Sequence, residues 1–402
     1  MTRTTDAEAT GDLRARTTAA VGAVLATRRA DHRGTVMGAG SDDFESGRRF
    51  LTVLADGGWA VPTWPVEHGG MGLSRAQADV VAQVLDGFET PDMYPFLVGL
   101  DLIGPTILAH GSDEQKSRWL PAMRSGDEIW CQMFSEPDAG SDLANLKARA
   151  VPDGDAWSVS GAKVWTSRAH YSRRGLLLAR TDSSVPKHAG ITAFGVDLSA
   201  PGVTIRPLVQ MNGDTHFNEV FLDDVVIADT DRVGSVGEGW QVAITCLSFE
   251  RGSLSGDLGM SGPEILALFS PDEDRLAMTA SQRDRVLRSY SDLRIGQWSA
   301  LRSRAARAAG RPPGPEDSGA KLRTNAMIKA LAERALELGG PAATVVTDPP
   351  DPWQTTFLVS PSLSIRGGTD EIQHNILGER VLGLPAEPRV DKGKPFSERP
   401  DT

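Results

Sequence analysis

Trp130-Cys-Gln-Met-Phe-Ser-Glu-Pro-Asp-Ala-Gly-Ser-Asp142, followed after a strand and a turn by Lys163-Val-Trp-Thr-Ser167, decides the reading of this chain. The pair combines small hydroxyl residues, a sharp Pro/Gly turn and an indole, an arrangement suited to a flat, redox-active ring. Ser135, Ser141 and Thr166 carry hydroxyls able to donate to ring or phosphate oxygens, and Trp165 offers an aromatic face. Taken alone, a Ser-Glu-Pro turn is commonplace and Trp-Thr-Ser is weaker still. Composition permits only an α/β/α protein with a polar loop near an aromatic residue. The signal lies in order and spacing, with a β region opening between the two segments.

The hydrophobic period changes twice along the chain. Before this stretch, Phe50-Leu-x-x-Leu54 and Ala78 to Asp86 repeat apolar residues at helical spacing, and Pro62-Thr-Trp-Pro65 with His68-Gly-Gly-Met-Gly72 reads as a loop. Pro105 to Gly111 reads as a helix stopped by glycine, and Ser112 caps the next, with Asp113 and Glu114 in its first turn. From 128 to 235 the segments are short and β-rich: Trp157–Ser160, Gly175–Arg180, Gly190–Val196, Val203–Leu208 and Asn218–Val226. They predict a β-sandwich or barrel. Helical spacing returns at Gly239–Leu247, Gln282–Ala309, Ser318–Leu338 and Thr369 to Leu382. The predicted fold is α+β multidomain: an N-terminal helical domain over 1–127, with 1–38 loose, a central β domain over 128–235, and a C-terminal helical domain over 236–402, loose from 386.

A chain of 402 residues exceeds one ordinary core, which agrees with that division. Hydrophobic residues at 40% and charged ones at 24% mark a soluble globular composition, and a net charge of −11 argues against nucleic-acid or anionic-membrane surfaces. Cys131 and Cys246 give neither a disulfide framework nor metal-ligand spacing. His68, His110, His170, His216 and His374 give none either, so no metal is expected. No apolar run reaches the ~18 residues a spanning helix needs. Asp6, Glu8 and Asp12 weaken an organelle-import reading of the Arg-bearing N-terminus. A reduced, cytoplasmic setting is expected.

The two quoted segments resemble the flavin-binding segment of the acyl-CoA dehydrogenase family. Gly367-Gly-Thr-Asp-Glu-Ile-Gln373, Gly378-Glu-Arg380 and Leu382-Gly-Leu-Pro385 resemble its C-terminal signature, so the similarity runs from roughly residue 45 to 390. The resemblance implies a C-terminal four-helix-bundle domain and bound FAD. It implies that Met133, Phe134 and Ser135 lie along the isoalloxazine edge, with Trp165, Thr166 and Ser167 on its other side. Ser141 matches a residue near the thioester or phosphate arm, and Thr369 and Glu371 match contacts to the adenosine half. Arg251 is a candidate for the carrier arm or for holding its helix. The family's Arg-x-x-Phe-Gly phosphate motif is missing between 255 and 330. Arg288, Arg294, Arg302 and Arg304 are candidate replacements, although a solvated helical face explains those charges equally well.

Dehydrogenating an acyl thioester requires a base for the α-proton, a hydride acceptor for the β-hydrogen and donors for the thioester oxygen. The medium-chain branch uses the glutamate of a Glu-Gly-Thr triplet, and this chain has Gly367-Gly368-Thr369 there. A glycine takes no proton. Leu247-Ser-Phe-Glu-Arg251 resembles the helix from which the isovaleryl and long-chain branches supply their base, and Glu250 matches that position. The competing reading pairs Glu250 with Arg251 structurally. The Gly367 backbone N–H remains a thioester donor, and Gly368 allows close approach of the acyl chain. A missing glutamate side chain leaves room for a branched, long or ring-bearing acyl group. Whether coenzyme A or an acyl-carrier protein bears it stays open. The resemblance further implies an electron-transfer flavoprotein as acceptor and a homodimer or homotetramer. Two alternatives stand beside this: a flavin monooxygenase on the same fold, or one subunit of a heteromeric acyl-CoA dehydrogenase.

Overall fold

The computed structural model describes residues 2–25, 44–254, 279–308, 314–347, 351–388 and 391–398. These divide into two compact units, one drawn from residues up to 250 together with 391–398, the other from 251–388. In the first, α1 (Thr2–Gly22), α2 (Phe44–Ala55), α3 (Arg75–Leu85), α4 (Tyr94–Leu97), α5 (Gly104–His110) and α6 (Asp113–Ser125) precede a sheet, and α7 (Gly239–Leu254) follows it. The N-terminus was expected to be loose. Over 2–22 it is instead helical, because Leu13, Thr17 and Val21 recur every fourth residue and bury one stripe against the neighbouring helices. Residues 26–38 of that expectation lie outside the described residues.

Helices α3 and α6 start on the same device. Ser74 and Ser112 each accept from the backbone three residues on, and Gln77 and Gln115 return the bond to the cap backbone. Gln115 also reaches the carbonyls of Thr230 and Arg232, both at 2.8 Å, tying α6 to the far end of the sheet region. Between α4 and α5 the backbone widens into a π-helical turn, Val98–Ile103.

The sheet comprises β1 (Trp130–Met133), β2 (Arg149–Asp153), β3 (Ala156–Ser167), β4 (Arg174–Arg180), β5 (Ile191–Asp197), β6 (Val203–Leu208), β7 (Phe217–Ala228) and β8 (Arg232–Val233). Its order is β6-β7-β3-β2-β4-β5-β8, with β1 parallel to β4. Only Arg149 and Arg180 pair across the β2–β4 joint. The two halves fold over one another there, so Val159 and Val220 share a core with Leu177, Phe194 and Val196. The other face of β4 and β5 is covered too. Leu176, Leu178, Ile191 and Ala193 pack with Ile103, Ile107, Trp119 and Trp130, and with Val242 and Cys246 of α7. Burial on both faces explains why Gly175–Ala179 reads as one apolar run rather than an alternation.

The tail from 386 was also expected to be loose, yet residues 391–398 are bound to the sheet region. Phe396 and Ser397 N–H groups donate to the carbonyls of Val185 and Ser183 at 2.9 and 3.0 Å. Lys187 pairs with Asp391 at 2.8 Å, and the Arg180 guanidinium lies 3.5 Å from the Phe396 ring centre.

In the second unit, α8 (Ala280–Ala308), α9 (Asp317–Gly339), α10 (Pro352–Val359) and α11 (Asp370–Ile376) follow. Helix α9 packs against the other three, and Val286, Leu293, Met327 and Leu331 form the core. The helix predicted from Thr369 to Leu382 is α11 continued by a π turn, Leu377–Val381. Among the described residues no helix is long and apolar enough to cross a membrane.

Candidate active site

Strand β3 carries a bulge in the second quoted segment. Lys163 faces Val220 and Thr166 faces Asn218, so two residues of β3 oppose one of β7. In a regular strand, residues three apart point to opposite faces. The bulge cancels that, so Lys163 and Thr166 are both fully buried, while Trp165 is turned out with 60% of its surface exposed. Trp165 takes φ 59°, a left-handed conformation that a bulky residue adopts only under constraint. Its indole stands nearly perpendicular to the Phe217 ring, at 5.9 Å between ring centres.

Beneath it lies a buried ion pair. Lys163 Nζ donates to Glu136 Oε1 at 2.7 Å and to the Phe134 carbonyl at 3.1 Å. Glu136 also accepts from the backbone N–H of Lys147 and Ala148 at 2.6 and 2.9 Å. Burial pushes the Lys163 ammonium down from its usual range, and the Glu136 carboxylate opposes that. The pair locks the Ser-Glu-Pro turn to the bulge, with Val164 N–H to the Ser135 carbonyl as a second tie at 3.0 Å. Both residues stood inside the quoted motifs, but nothing in the sequence showed that they meet.

Met133 and Phe134 are buried in the two cores of the first unit, at 0% and 3% exposure. Ser135 and Ser167 are half-buried, Ser141 is exposed, and the hydroxyls of all three make no hydrogen bond among the described residues. The Thr166 hydroxyl is sealed inside, without a partner among the described residues. An outward indole in strained backbone, flanked by unspent hydroxyls, fits a flat polar ring such as flavin.

Helix α7 buries Val242, Ala243 and Cys246. Glu250 is one turn beyond Cys246 on the same stripe and is half-buried. Burial pushes the Cys246 thiol up to about 12, and the Glu250 charge adds to the rise. The Arg251 side chain lies outside the described residues.

In the second unit the Gly367-Gly368-Thr369 loop is pinned by its carbonyls. Gly367 and Gly368 sit at φ 63° and 86°, where a side chain is strained. Lys321 donates to the Gly368 carbonyl at 2.5 Å, and Gln373 reaches the carbonyls of Gly367 and Gly368, both at 3.3 Å. A Cβ on Gly368 would lie 2.7 Å from Gln373 Nε2. Asn325 joins the Leu363 carbonyl to Asp370 at 2.9 and 2.8 Å. The Gly367 N–H donates to no group among the described residues. The Thr369 hydroxyl caps α11 at Ile372 N–H, 3.2 Å away, and Glu371 is exposed. Of the candidate phosphate cations, Arg288 pairs with Asp284 at 2.8 Å and Arg294 bonds Gln297 at 2.8 Å. Among the described residues no cluster of His, Cys, Asp and Glu could hold a metal.

Family models of the acyl-CoA dehydrogenase N-terminal, middle and C-terminal domains match residues 16–127, 131–225 and 237–382. The acyl-CoA dehydrogenase IpdE1 of Mycobacterium tuberculosis is 40% identical over 350 residues, covering 86% of this chain and 89% of that protein. The chain belongs to the acyl-CoA dehydrogenase family. FadE34 of the same organism is 40% identical over 341 residues, covering 83% of this chain and 46% of that protein. Among solved structures, the Tcur3481-Tcur3483 steroid ACAD superposes with TM-score 0.76 at 26% identity, covering 94% of this chain and 98% of that one. The ChsE4-ChsE5 complex from Mycobacterium tuberculosis gives 0.74 at 26% identity, with the same coverage of 94% and 98%. Members are FAD-binding oxidoreductases acting on CH–CH donors, and the outward indole and free hydroxyls of this chain suit that cofactor.

Proposed function

We propose that the chain dehydrogenates an acyl-CoA thioester at the α,β-bond, with the Glu250 carboxylate as the base for the α-proton. One observation carries the reading. Position 367 is a glycine held at φ 63°, while Glu250 prolongs the buried stripe of α7 behind Cys246. Abstraction of a weakly acidic α-proton calls for a carboxylate of this kind, held on a rigid helix. The unspent Gly367 N–H supplies a donor for the thioester oxygen as negative charge develops on it. Gly368 admits the acyl chain, and Arg251 and Ser141 serve the carrier arm. FAD, when bound, would supply the hydride acceptor for the β-hydrogen. Trp165, Ser135 and Ser167, backed by the buried Met133, Phe134 and Thr166, would hold and orient its ring, and Thr369 and Glu371 would meet its adenosine half.

A ring-bearing acyl group is the substrate class we favour, because the absent glutamate frees volume at 367 and a structure 26% identical is named a steroid ACAD. An electron-transfer flavoprotein is the proposed acceptor, with a homodimer or homotetramer as the assembly. A heteromeric pair is the second reading, favoured by the two-component titles of the Tcur3481-Tcur3483 and ChsE4-ChsE5 structures. Glu250→Gln tests the base. Yellow protein should persist, while anaerobic bleaching by acyl-CoA substrates slows by roughly a thousandfold. Bleaching at the parent rate refutes the assignment.

A further inference from the structure

Two adjacent glycines, Gly367 and Gly368, are the freest backbone a chain can have, since no Cβ restricts them. A hydrogen-bond donor on such a segment is preorganised only when groups outside it fix the peptide planes. In the second unit, helix α9 does this through one stripe of polar side chains, Lys321, Asn325 and Lys329, spaced four residues apart. Lys321 Nζ donates to the carbonyls of Leu363 and Gly368 at 3.2 and 2.5 Å, and its charge strengthens both bonds. Asn325 divides its amide between the Leu363 carbonyl at 2.9 Å and Asp370 Oδ1 at 2.8 Å. Lys329 donates to the Ser364 hydroxyl at 2.5 Å and faces Asp370 at 3.7 Å.

Helix α11 grips the same loop from its other end. Gln373 Nε2 reaches the carbonyls of Gly367 and Gly368, both at 3.3 Å. The Arg366 N–H donates to the Ser362 carbonyl at 2.9 Å, so the peptide bearing the Gly367 N–H is tied on both sides. Both glycines are held by their carbonyls, and among the described residues neither N–H donates a bond. Asn325 and Gln373 are 3% and 2% exposed. A buried amide costs the fold unless it is bonded, and both of these donate into residues 363–370. Apolar residues at 321 and 325 would join the helices without fixing any carbonyl.

We propose that Lys321, supported by Asn325, is a positioning residue for the dehydrogenation: it fixes the carbonyl side of the Gly367-Gly368 loop so that the Gly367 N–H stands ready for the thioester oxygen. This rests on the reading of Gly367 as the thioester donor. A preorganised donor meets developing charge without reorganising at that moment, and a misplaced one loses kcat before it loses binding.

The test uses the flavin-loaded enzyme with 3-cyclohexylpropanoyl-CoA as substrate. Its α,β-unsaturated product, isotopically labelled at the thioester carbonyl, serves as an infrared probe. Binding should lower the carbonyl stretch in the parent, since a hydrogen bond weakens the C=O bond. Lys321→Met should lower kcat by roughly tenfold or more, keep KM within about threefold of the parent, and shrink the carbonyl shift. Lys321→Arg, which keeps the charge and several donors, should lose less in both readings. Hydrogen exchange by mass spectrometry over residues 363–373 needs no acyl ligand, and it should quicken in Lys321→Met and in Asn325→Leu. An exchange rate unchanged in Lys321→Met overturns the proposal, as does a loss confined to KM. Glu250→Gln should slow turnover while leaving the carbonyl shift at the parent value. A parent without any shift sinks the reading of Gly367 as donor and this proposal with it. A parent shift that survives in full in Lys321→Met sinks the positioning role and leaves the donor standing.

Discussion

At the residue scale, the flavin segments depend on a charge pair that neither segment displays alone. Lys163 is fully buried and Glu136 is 7% exposed, so both charges have left water. Their 2.7 Å contact and the two backbone donors to Glu136 offset that desolvation. Lys163→Met fits the space but strands the carboxylate, and should destabilise the protein by about 3–5 kcal/mol. Adding Glu136→Gln removes the stranded charge and should return part of the loss. Urea unfolding of the single and double variants, with flavin content measured in parallel, gives the coupling directly. Full additivity would show that the pair contributes nothing as a pair. The types at 135, 136, 163 and 165 were legible as motif residues. What the sequence hid was the bulge, because a period-two reading puts Trp165 on the same face as Lys163.

At the scale of elements, the strands were readable wherever apolar runs ended in turn residues, as at Gly175–Arg180 and Val203–Leu208. Their closure on one another was not, since the β2–β4 joint is a single residue pair. The C-terminal tail shows the limit most plainly. Its polar composition suggests a loose end, but its partners lie some two hundred positions earlier in the chain. Main-chain bonds from Phe396 and Ser397, the Lys187–Asp391 pair and the Arg180–Phe396 stack bind it to the loop after β4. Lys187 also holds Asp142, at the end of the first flavin segment, at 2.9 Å. Truncation after Pro388 removes those bonds together. It should lower stability by about 1–3 kcal/mol, each 1 kcal/mol moving the melting temperature by roughly 2–4 °C. Calorimetry of the truncated chain checks it, and an unchanged midpoint would make the tail a passive passenger. Phe396→Ala should reproduce part of the shift through loss of the stacked ring.

At the scale of the whole molecule, the base assignment compares two distant positions, and each has its own backbone logic. Glu250 stands in regular helix, where any side chain is at ease, and continues a stripe already turned toward the core. Gly367 stands in left-handed backbone, followed by a second glycine in the same region and pinned by Gln373. An L-residue placed at 367 pays roughly 1–2 kcal/mol for that conformation or forces the loop to change it. The residue types at 250 and 367 were legible in the sequence; the left-handed backbone that suits glycine at 367 was not. Returning the carboxylate by Gly367→Glu in the Glu250→Gln background is therefore expected to give poor rescue. Anaerobic flavin bleaching should stay within about tenfold of Glu250→Gln alone, because general-base catalysis requires the carboxylate within hydrogen-bond reach of the proton. The same double variant should unfold at lower urea than Glu250→Gln by an amount matching the backbone strain. Restoration of parent-like bleaching would show that the loop tolerates either residue, and that the glycine is there for the room it leaves to the acyl group alone.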